Sequence, residues 1–239
     1  MPRPRIALII TTWFRGSHAD VLATDLVRGY EWNGTVGPAR VEVVAAYLEQ
    51  PEVVGPQGQQ PDVGLPLLAE AGVPLYPTPA EALGCGAPGV NVDGVVIIGE
   101  HGQYEENEYG QQLYPRRRFF DDCLSAMIAA DRFVPVMNDK HLAWNLTDAR
   151  AMYDNARRLG VPLLAGSSIP VAWRRPQGAE WPMGAAMDQI VCATYGPFER
   201  YGFHGLEGIQ AFAERRAGGE SGVAEVRGYM SARVACNVP

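Results

Sequence analysis

The chain has 239 residues, of which 47% are hydrophobic and 20% are charged, and its formal net charge is −7. These values are ordinary for a globular protein, and the length allows one large domain or two small ones. The negative charge argues against a nucleic-acid partner, which needs a basic face. No apolar segment approaches the ~18 residues that a membrane helix needs. The sequence therefore predicts neither a nucleic-acid nor a membrane partner.

Four cysteines lie far apart in the sequence and form no C-x-x-C pair: Cys85, Cys123, Cys192 and Cys236. This spacing predicts neither a disulfide framework nor a zinc ribbon. The apolar run at residues 6–10 is too short for a signal peptide. Reduced thiols in a cytoplasmic protein are the simplest interpretation. Short arginine clusters, such as residues 116–118, predict a solvated surface.

Apolar runs alternate with helical patterns over the first two-thirds of the chain. Strands are predicted at residues 5–10, 41–48, 73–76, 94–99, 133–137 and 161–165. Helices are predicted at residues 19–30, 62–71, 79–83 and 119–130, and between a capping Thr147 and Gly160. The alternation predicts an α/β fold over residues 1–166, with a Rossmann-like, doubly wound parallel sheet.

Residues 167–239 have a different pattern, which predicts a short α/β C-terminal domain. Its predicted elements are a strand at 189–195, a helix at 204–216 and one or two strands over 223–238. Loops are predicted at 31–40, 51–61 and 100–118. The last of these is long enough to be functional or disordered, and its tyrosines favour an ordered loop.

Polar side chains follow the apolar run at residues 133–137 abruptly, beginning with Asn138 and Asp139 and continuing with Lys140 and His141. Charged groups at the end of a buried strand are costly unless they pair or perform chemistry. The carboxyl ends of strands are also where open α/β sheets bind ligands. Lys140 could therefore hold an anionic or hydroxyl-bearing substrate or donate a proton. The alternative is a solvated turn with an Asp139–Lys140 ion pair.

Three stretches resemble the Gfo/Idh/MocA oxidoreductases, the glucose–fructose oxidoreductase and inositol dehydrogenase group. They are the strand–turn–helix at the start, Asp139-Lys140-His141, and Tyr201-Gly202-Phe203-His204. That family joins a Rossmann domain to a C-terminal α/β domain and moves a hydride between a nicotinamide cofactor and a sugar or polyol carbon. The resemblance implies an oxidoreductase that uses NAD or NADP, acts on a polar hydroxylated small molecule and forms a homo-oligomer.

The family's E-K-P motif falls on residues 139–141, where the lysine is kept, and its D-x-G-x-H motif falls on residues 200–204. The second motif keeps its glycine and histidine, but Arg200 stands in the place of the aspartate. The resemblance implies that Lys140 orients the substrate and that His204 takes or gives the proton. The implied substrate-binding residues are Asp139, His141, Trp144 and Arg200.

The family's G-x-G-x-x-G fingerprint falls on Thr11, Trp13 and Gly16, so only its last glycine is kept. A tryptophan at the second place should obstruct the pyrophosphate unless its side chain swings away. The next helix still offers free N–H groups and a positive dipole end, and His18 at its start is predicted to be structural. An acid that could bind ribose ends the second strand. The implied cofactor-binding residues are Thr11, Trp13, Gly16, Glu49, Glu100 and His101.

Two other interpretations stay open. Glu100, His101, His141 and His204 could converge on a divalent metal, which would make the chain a metal-dependent lyase, isomerase or hydrolase on a Rossmann scaffold. No tight spacing such as H-E-x-x-H supports that site, and a cofactor-free enzyme of the same classes is equally open. The chain could also be a non-catalytic binding relative that lost its cofactor, which the altered glycine fingerprint favours.

Overall fold

The chain divides into two units, residues 1–168 and 169–239. The computed structural model describes residues 2–32, 34–52, 61–196 and 198–228. The strands are β1 (Arg5–Ile10), β2 (Tyr30–Trp32), β3 (Thr35–Gly37), β4 (Glu42–Leu48), β5 (Gly94–Ile98), β6 (Val136–Asp139) and β7 (Leu163–Gly166). The α-helices are α1 (His18–Arg28), α2 (Gly64–Glu70), α3 (Pro79–Gly84), α4 (Arg116–Ala129), α5 (Leu146–Leu159) and α6 (Phe203–Ala213).

Five strands of the first unit form a parallel sheet in the order β4-β1-β5-β6-β7. A single parallel bridge between Leu75 and Ala46 adds a sixth position beside β4. With that bridge the order is the 3-2-1-4-5-6 of a Rossmann fold, which confirms the predicted fold class. The strand order reverses between β1 and β5. Ligands of open α/β sheets bind at this reversal, beyond the carboxyl ends of the strands.

The sheet is covered on both faces because side chains alternate along each strand. On one face Ile9 and Ile97 pack with Phe119, in a cluster that includes residues of α3, α4 and α5. On the other face Leu8 packs with Trp13, in a cluster that includes residues of α1 and α2. Burial on both faces explains the near-continuous apolar composition of β1 and β5.

The predicted loop at residues 31–40 is wrong in part, because β2 and β3 form a short antiparallel hairpin there. Gly34 makes its turn with φ at 76°, a left-handed conformation that glycine adopts without strain. Residues 53–60 of the predicted loop at 51–61 lie outside the described residues. The cap of α5 is also corrected: Asn145, not Thr147, accepts the N–H of Asp148 at 2.8 Å.

The ends of one helix and one strand near the edge of the sheet differ from the sequence prediction. Helix α4 begins at Arg116, so the three arginines form its first turn and do not belong to the preceding loop. Strand β6 begins at Val136 and extends to Asp139. Asn138 and Asp139 therefore belong to the strand itself, because the pairing with β7 continues through Asp139.

The second unit contains a 3₁₀ turn (Ile169–Val171), a π-helical turn (Phe198–Gly202) and α6. The strand predicted at 189–195 is wrong, since no partner strand pairs with these residues in the described part of the unit. Residues 223–228 form no strand either, and residues 229–238 lie outside the described residues. Among the described helices, none is long and apolar enough to cross a membrane. The homo-oligomer stays a prediction.

Gly64 provides a test of the packing behind β1. A Cβ atom at this residue would come within 2.7 Å of the Trp13 indole, which is fully buried. We expect Gly64→Ala to lower the free energy of unfolding by about 1–3 kcal/mol, because overpacking forces neighbouring groups apart. Gly37→Ala is the control, since nothing lies within 4 Å of a Cβ there. Urea denaturation measures both, and equal costs would contradict this packing of Trp13.

Candidate functional site

Charged side chains converge where β5 and β6 end. Glu100 lies two residues after β5, and Lys140 follows β6 directly. Lys140 Nζ donates to Glu100 Oε1 at 3.2 Å, and the Arg116 guanidinium forms an ion pair with Glu100 Oε2. The side chain of Arg116 is only 1% exposed. The prediction that arginines 116–118 are all solvated is therefore wrong for Arg116, which enters the interior to neutralise a buried carboxylate.

The ionised form of Glu100 is strongly favoured. Burial on its own raises the pKa of this carboxyl, but the charges of Arg116 and then Lys140 outweigh it. The pKa falls from its ordinary 4.5 to about 2. Glu100 therefore stays a carboxylate at neutral pH, and it holds Lys140 in place from below the edge of the sheet.

The lowered pKa of Glu100 predicts how stability changes with acid. A carboxyl whose folded pKa lies below its unfolded pKa stabilises the fold above pH 4.5, and that contribution is lost as the pH falls toward 2. We expect Glu100→Gln to flatten the fall in unfolding free energy over this range. Glu108→Gln, at an exposed acid of the same loop, is the control. Denaturation curves taken at several pH values in this range measure the slopes. Equal slopes in both variants would contradict the assignment.

Lys140 is unusual in two further ways. It is the sole lysine of the sequence, which otherwise uses arginine for its permanent positive charges. Its backbone has φ at 62°, and His101 at the end of β5 has φ at 67°. Left-handed backbone costs a residue with a Cβ roughly 1–2 kcal/mol, and such strain clusters at functional sites. A bridge from Lys140 to Gly166 at the end of β7 holds this conformation.

A histidine–aspartate pair lies at the same edge. His18 Nδ1 is 2.6 Å from Asp139 Oδ2, although the two residues are 121 positions apart in the sequence. The His18 ring also lies 5.5 Å from the ring of His101. A carboxylate on one ring nitrogen orients an imidazole for proton transfer at the other. The prediction that His18 is structural agrees with these contacts, and no sequence pattern indicated its pairing with Asp139.

The other substrate-binding predictions in the first unit lie near the start of α4. Arg116 Nη1 is 3.4 Å from His141 Nε2, and Asn138 donates to the carbonyl of His141 at 2.9 Å. Trp144 lines a groove of about 470 Å³ together with Tyr104, Tyr114, Pro115 and the first turns of α4. The predictions for His141 and Trp144 remain open, since no substrate contact tests them.

The turn after β1 differs from a phosphate-binding turn. The Thr11 hydroxyl donates to the carbonyl of Glu100 at 2.7 Å, which joins β1 to β5. Trp13 swings away from the edge of the sheet and is 0% exposed, against Gly64. The backbone N–H of Gly16 donates to Asp20 Oδ2 at 2.8 Å. These three predicted cofactor residues therefore make contacts within the chain.

Glu49, the acid predicted to bind ribose, also makes its contacts within the chain. Its two oxygens lie 2.6 and 2.8 Å from Arg118 Nη2, and the Tyr104 hydroxyl donates to Oε2 at 3.3 Å. Burial first, and then the charge of Glu49, raise the pKa of Tyr104. Tyr104 therefore stays a phenol that can donate this hydrogen bond.

His204, the predicted proton carrier, belongs to the second unit. Its Nδ1 is 2.8 Å from Glu207 Oε2, one turn further along α6. The ring also lies edge-on to Tyr201, with centroids 6.4 Å apart. The backbone of Arg200 belongs to the π-helical turn, and its side chain lies outside the description. The meeting of Lys140 and His204 in one site stays a prediction.

The metal-dependent interpretation finds no support in the described part of the chain. No group of three or more histidine, cysteine, aspartate or glutamate side chains there is arranged to hold a metal ion. The residues that do come together are Glu100, His101, Asp139, Lys140 and His141, joined by His18 and Arg116. The solitary lysine was a sequence signal for this site.

No family model matches this sequence, and no curated protein matches it either. Solved structures share parts of its fold. UDP-N-acetylglucosamine 3-dehydrogenase GnnA from Acidithiobacillus ferrooxidans is 14% identical with a TM-score of 0.43, over 70% of this chain and 39% of that one. GenD2 from gentamicin A biosynthesis, solved with NAD, is 18% identical with a TM-score of 0.41, over 70% and 35%.

Scyllo-inositol dehydrogenase from Lactobacillus casei is 11% identical with a TM-score of 0.43, over 72% of this chain and 38% of that one. The chain thus spans less than half the length of each of these three proteins. At this level of similarity, its function has to be argued from its own residues.

The described residues do not fit the pyrophosphate of a nicotinamide dinucleotide at the turn after β1. Close approach to that turn needs small residues and free N–H groups. Here Thr11 and Trp13 stand at the two glycine places, and the N–H of Gly16 already has an acceptor in Asp20. The charged groups around Glu100 and Lys140 lie at the other end of this edge, beyond β5 and β6.

Proposed function

We propose that this chain is an oxidoreductase that moves a hydride between a nicotinamide ring and a polar, hydroxylated small molecule at the carboxyl edge of β5 and β6. The observation that carries the proposal is Lys140: the sole lysine, 12% exposed, on strained backbone and 3.2 Å from a buried carboxylate. The resemblance of residues 139–141 to the E-K-P motif supports the same reaction class.

In this proposal different residues of the chain have different roles in the reaction. Lys140 holds the oxygen of the reacting carbon, because an ammonium stabilises negative charge that develops there. Glu100 and Arg116 hold Lys140 by a buried network of charges. The His18–Asp139 pair takes the hydroxyl proton.

A cofactor-free lyase or isomerase is the second candidate, and the turn after β1 favours it. With Trp13 buried and the Gly16 N–H engaged, the described turn after β1 lacks the usual means of holding a pyrophosphate. Proton abstraction and return need only an oriented base and a cation beside the substrate oxygen. His18, Asp139 and Lys140 supply both groups.

Cofactor binding separates the two candidates. Titration of the purified chain into NADH and NADPH, followed by the fluorescence of the nicotinamide ring, should show saturable binding that Lys140→Ala weakens. Arg28→Ala, at an exposed arginine in the last turn of α1, should leave binding unchanged. No binding at millimolar NADH or NADPH would reject the oxidoreductase and leave the cofactor-free enzyme.

A further inference from the structure

The chain fills with its own side chains two places that the adenosine half of a dinucleotide uses in Rossmann folds. The first is the N-terminus of α1, where a pyrophosphate normally accepts backbone N–H groups. Here Asp20 Oδ2 accepts the N–H of Gly16 at 2.8 Å, and Ser17 Oγ accepts the N–H of Asp20 at 3.2 Å. A phosphate brought to this helix end would meet the negative charge of Asp20.

The second place is the end of β4, where an acid normally binds the ribose hydroxyls. Both oxygens of Glu49 face Arg118 Nη2, at 2.6 and 2.8 Å. The Tyr104 hydroxyl adds a hydrogen bond to Oε2 at 3.3 Å. A phenol hydroxyl and a guanidinium therefore occupy the acceptor positions that ribose hydroxyls would use.

Several contacts fix the loop that brings Tyr104 to Glu49. Gln103 N–H donates to Gln50 Oε1 at 2.8 Å, and Gln50 Nε2 donates back to the Gln103 carbonyl at 3.2 Å. The Tyr104 ring lies edge-on to Tyr114, with centroids 5.8 Å apart. The loop after β5 is thus attached to the carboxyl end of β4, over the ribose position.

We infer that internal side chains replace the adenosine half of a dinucleotide in this chain, so that the edge of β5 and β6 recognises only a mononucleotide-sized part of its ligand. The inference depends on the proposed function only in assuming that the ligand carries a nicotinamide ring. A nicotinamide ligand would gain no affinity here from its adenosine and pyrophosphate groups, whereas these groups anchor the cofactor in an ordinary Rossmann site.

Calorimetric titration of the full chain with ADP-ribose, NADH and reduced nicotinamide mononucleotide tests this inference. We expect no binding of ADP-ribose, and NADH affinity within about threefold of that of the mononucleotide. Binding of ADP-ribose, or NADH that binds more than about tenfold tighter than the mononucleotide, would overturn it. If neither nicotinamide ligand binds, the proposed oxidoreductase activity is rejected. The ADP-ribose result then still tests the inference.

Removing the side chains that fill these two places should create affinity for ADP-ribose. We expect Asp20→Ala combined with Tyr104→Phe and Arg118→Ala to gain measurable ADP-ribose binding. Arg118 is included because it also contacts both oxygens of Glu49. Asp25→Ala, at an exposed acid of the same helix, should gain none. In a second variant Asp20→Asn replaces Asp20→Ala and keeps the size of the side chain, and circular dichroism checks that each variant folds. Triple variants that fold and bind ADP-ribose no better than the wild type would contradict the inference.

Discussion

Replacing Arg116 with alanine should be among the most destabilising single changes in the first unit. Its side chain is 1% exposed and forms an ion pair with Glu100, which is itself buried. Removing one partner leaves the other charge buried without its main compensation, which typically costs about 3–5 kcal/mol. We expect a value near the lower end of that range, because Lys140 still contacts Glu100 at 3.2 Å.

Arg117→Ala is the matched control, since Arg117 is the next residue of the same helix but is 28% exposed. Its ion pairs with Asp121 and Asp148 are screened by solvent, so we expect a cost below about 1 kcal/mol. Adding Glu100→Gln to Arg116→Ala should recover about 0.5–3 kcal/mol, because the uncompensated charge is then gone. Equal costs for the two arginine variants in urea denaturation would contradict the buried network.

The sheet could be predicted from the sequence because its signal is local. A strand buried on both faces is a short apolar run, and β1 and β5 were located within one residue of their ends. The run at residues 189–195 had a similar pattern but forms no strand. A strand also needs a partner, and the sequence pattern does not show where a partner lies.

The candidate site was predictable where topology alone brings residues together. Glu100 and Lys140 follow adjacent strands of a parallel sheet, so their meeting follows from the strand order. His18 and Asp139 meet because the start of α1 lies over the end of β6, which only the folded chain shows. Arg116 was placed on the surface because an arginine is seldom fully buried unless it is paired.

Strained backbone and buried charge occur together at the carboxyl edge of β5 and β6. Two residues with a Cβ, His101 and Lys140, have left-handed backbone at the ends of neighbouring strands. The surrounding structure sustains this strain, through the bridge to Gly166 and the charge network around Glu100. Strained backbone of this kind clusters at functional sites, which is why this edge of the sheet is the candidate site.

Replacing Lys140 with arginine should abolish most activity, although the charge is kept. The ammonium is a compact donor that reaches Glu100 Oε1 at 3.2 Å in a largely buried position. A guanidinium is larger and planar and directs its donors in a fixed fork, so it cannot take the same place. We expect kcat to fall about 10²–10³-fold for Lys140→Arg and for Lys140→Ala, as when one oxyanion donor is lost.

The opposite substitution, arginine to lysine at another position, is the control. It makes the prediction specific to Lys140. Arg28→Lys, at an exposed ion pair with Glu70, should leave kcat unchanged. A screen of polyols and sugars with NAD and NADP, followed by nicotinamide absorbance, supplies the assay, and thermal unfolding confirms that each variant folds. Reductive ¹³C-methylation adds a readout that does not need turnover, because Lys140 is the sole lysine side chain to be labelled. Its NMR signal should shift when a substrate binds, and full activity of Lys140→Arg would show that the ammonium has no part in the reaction.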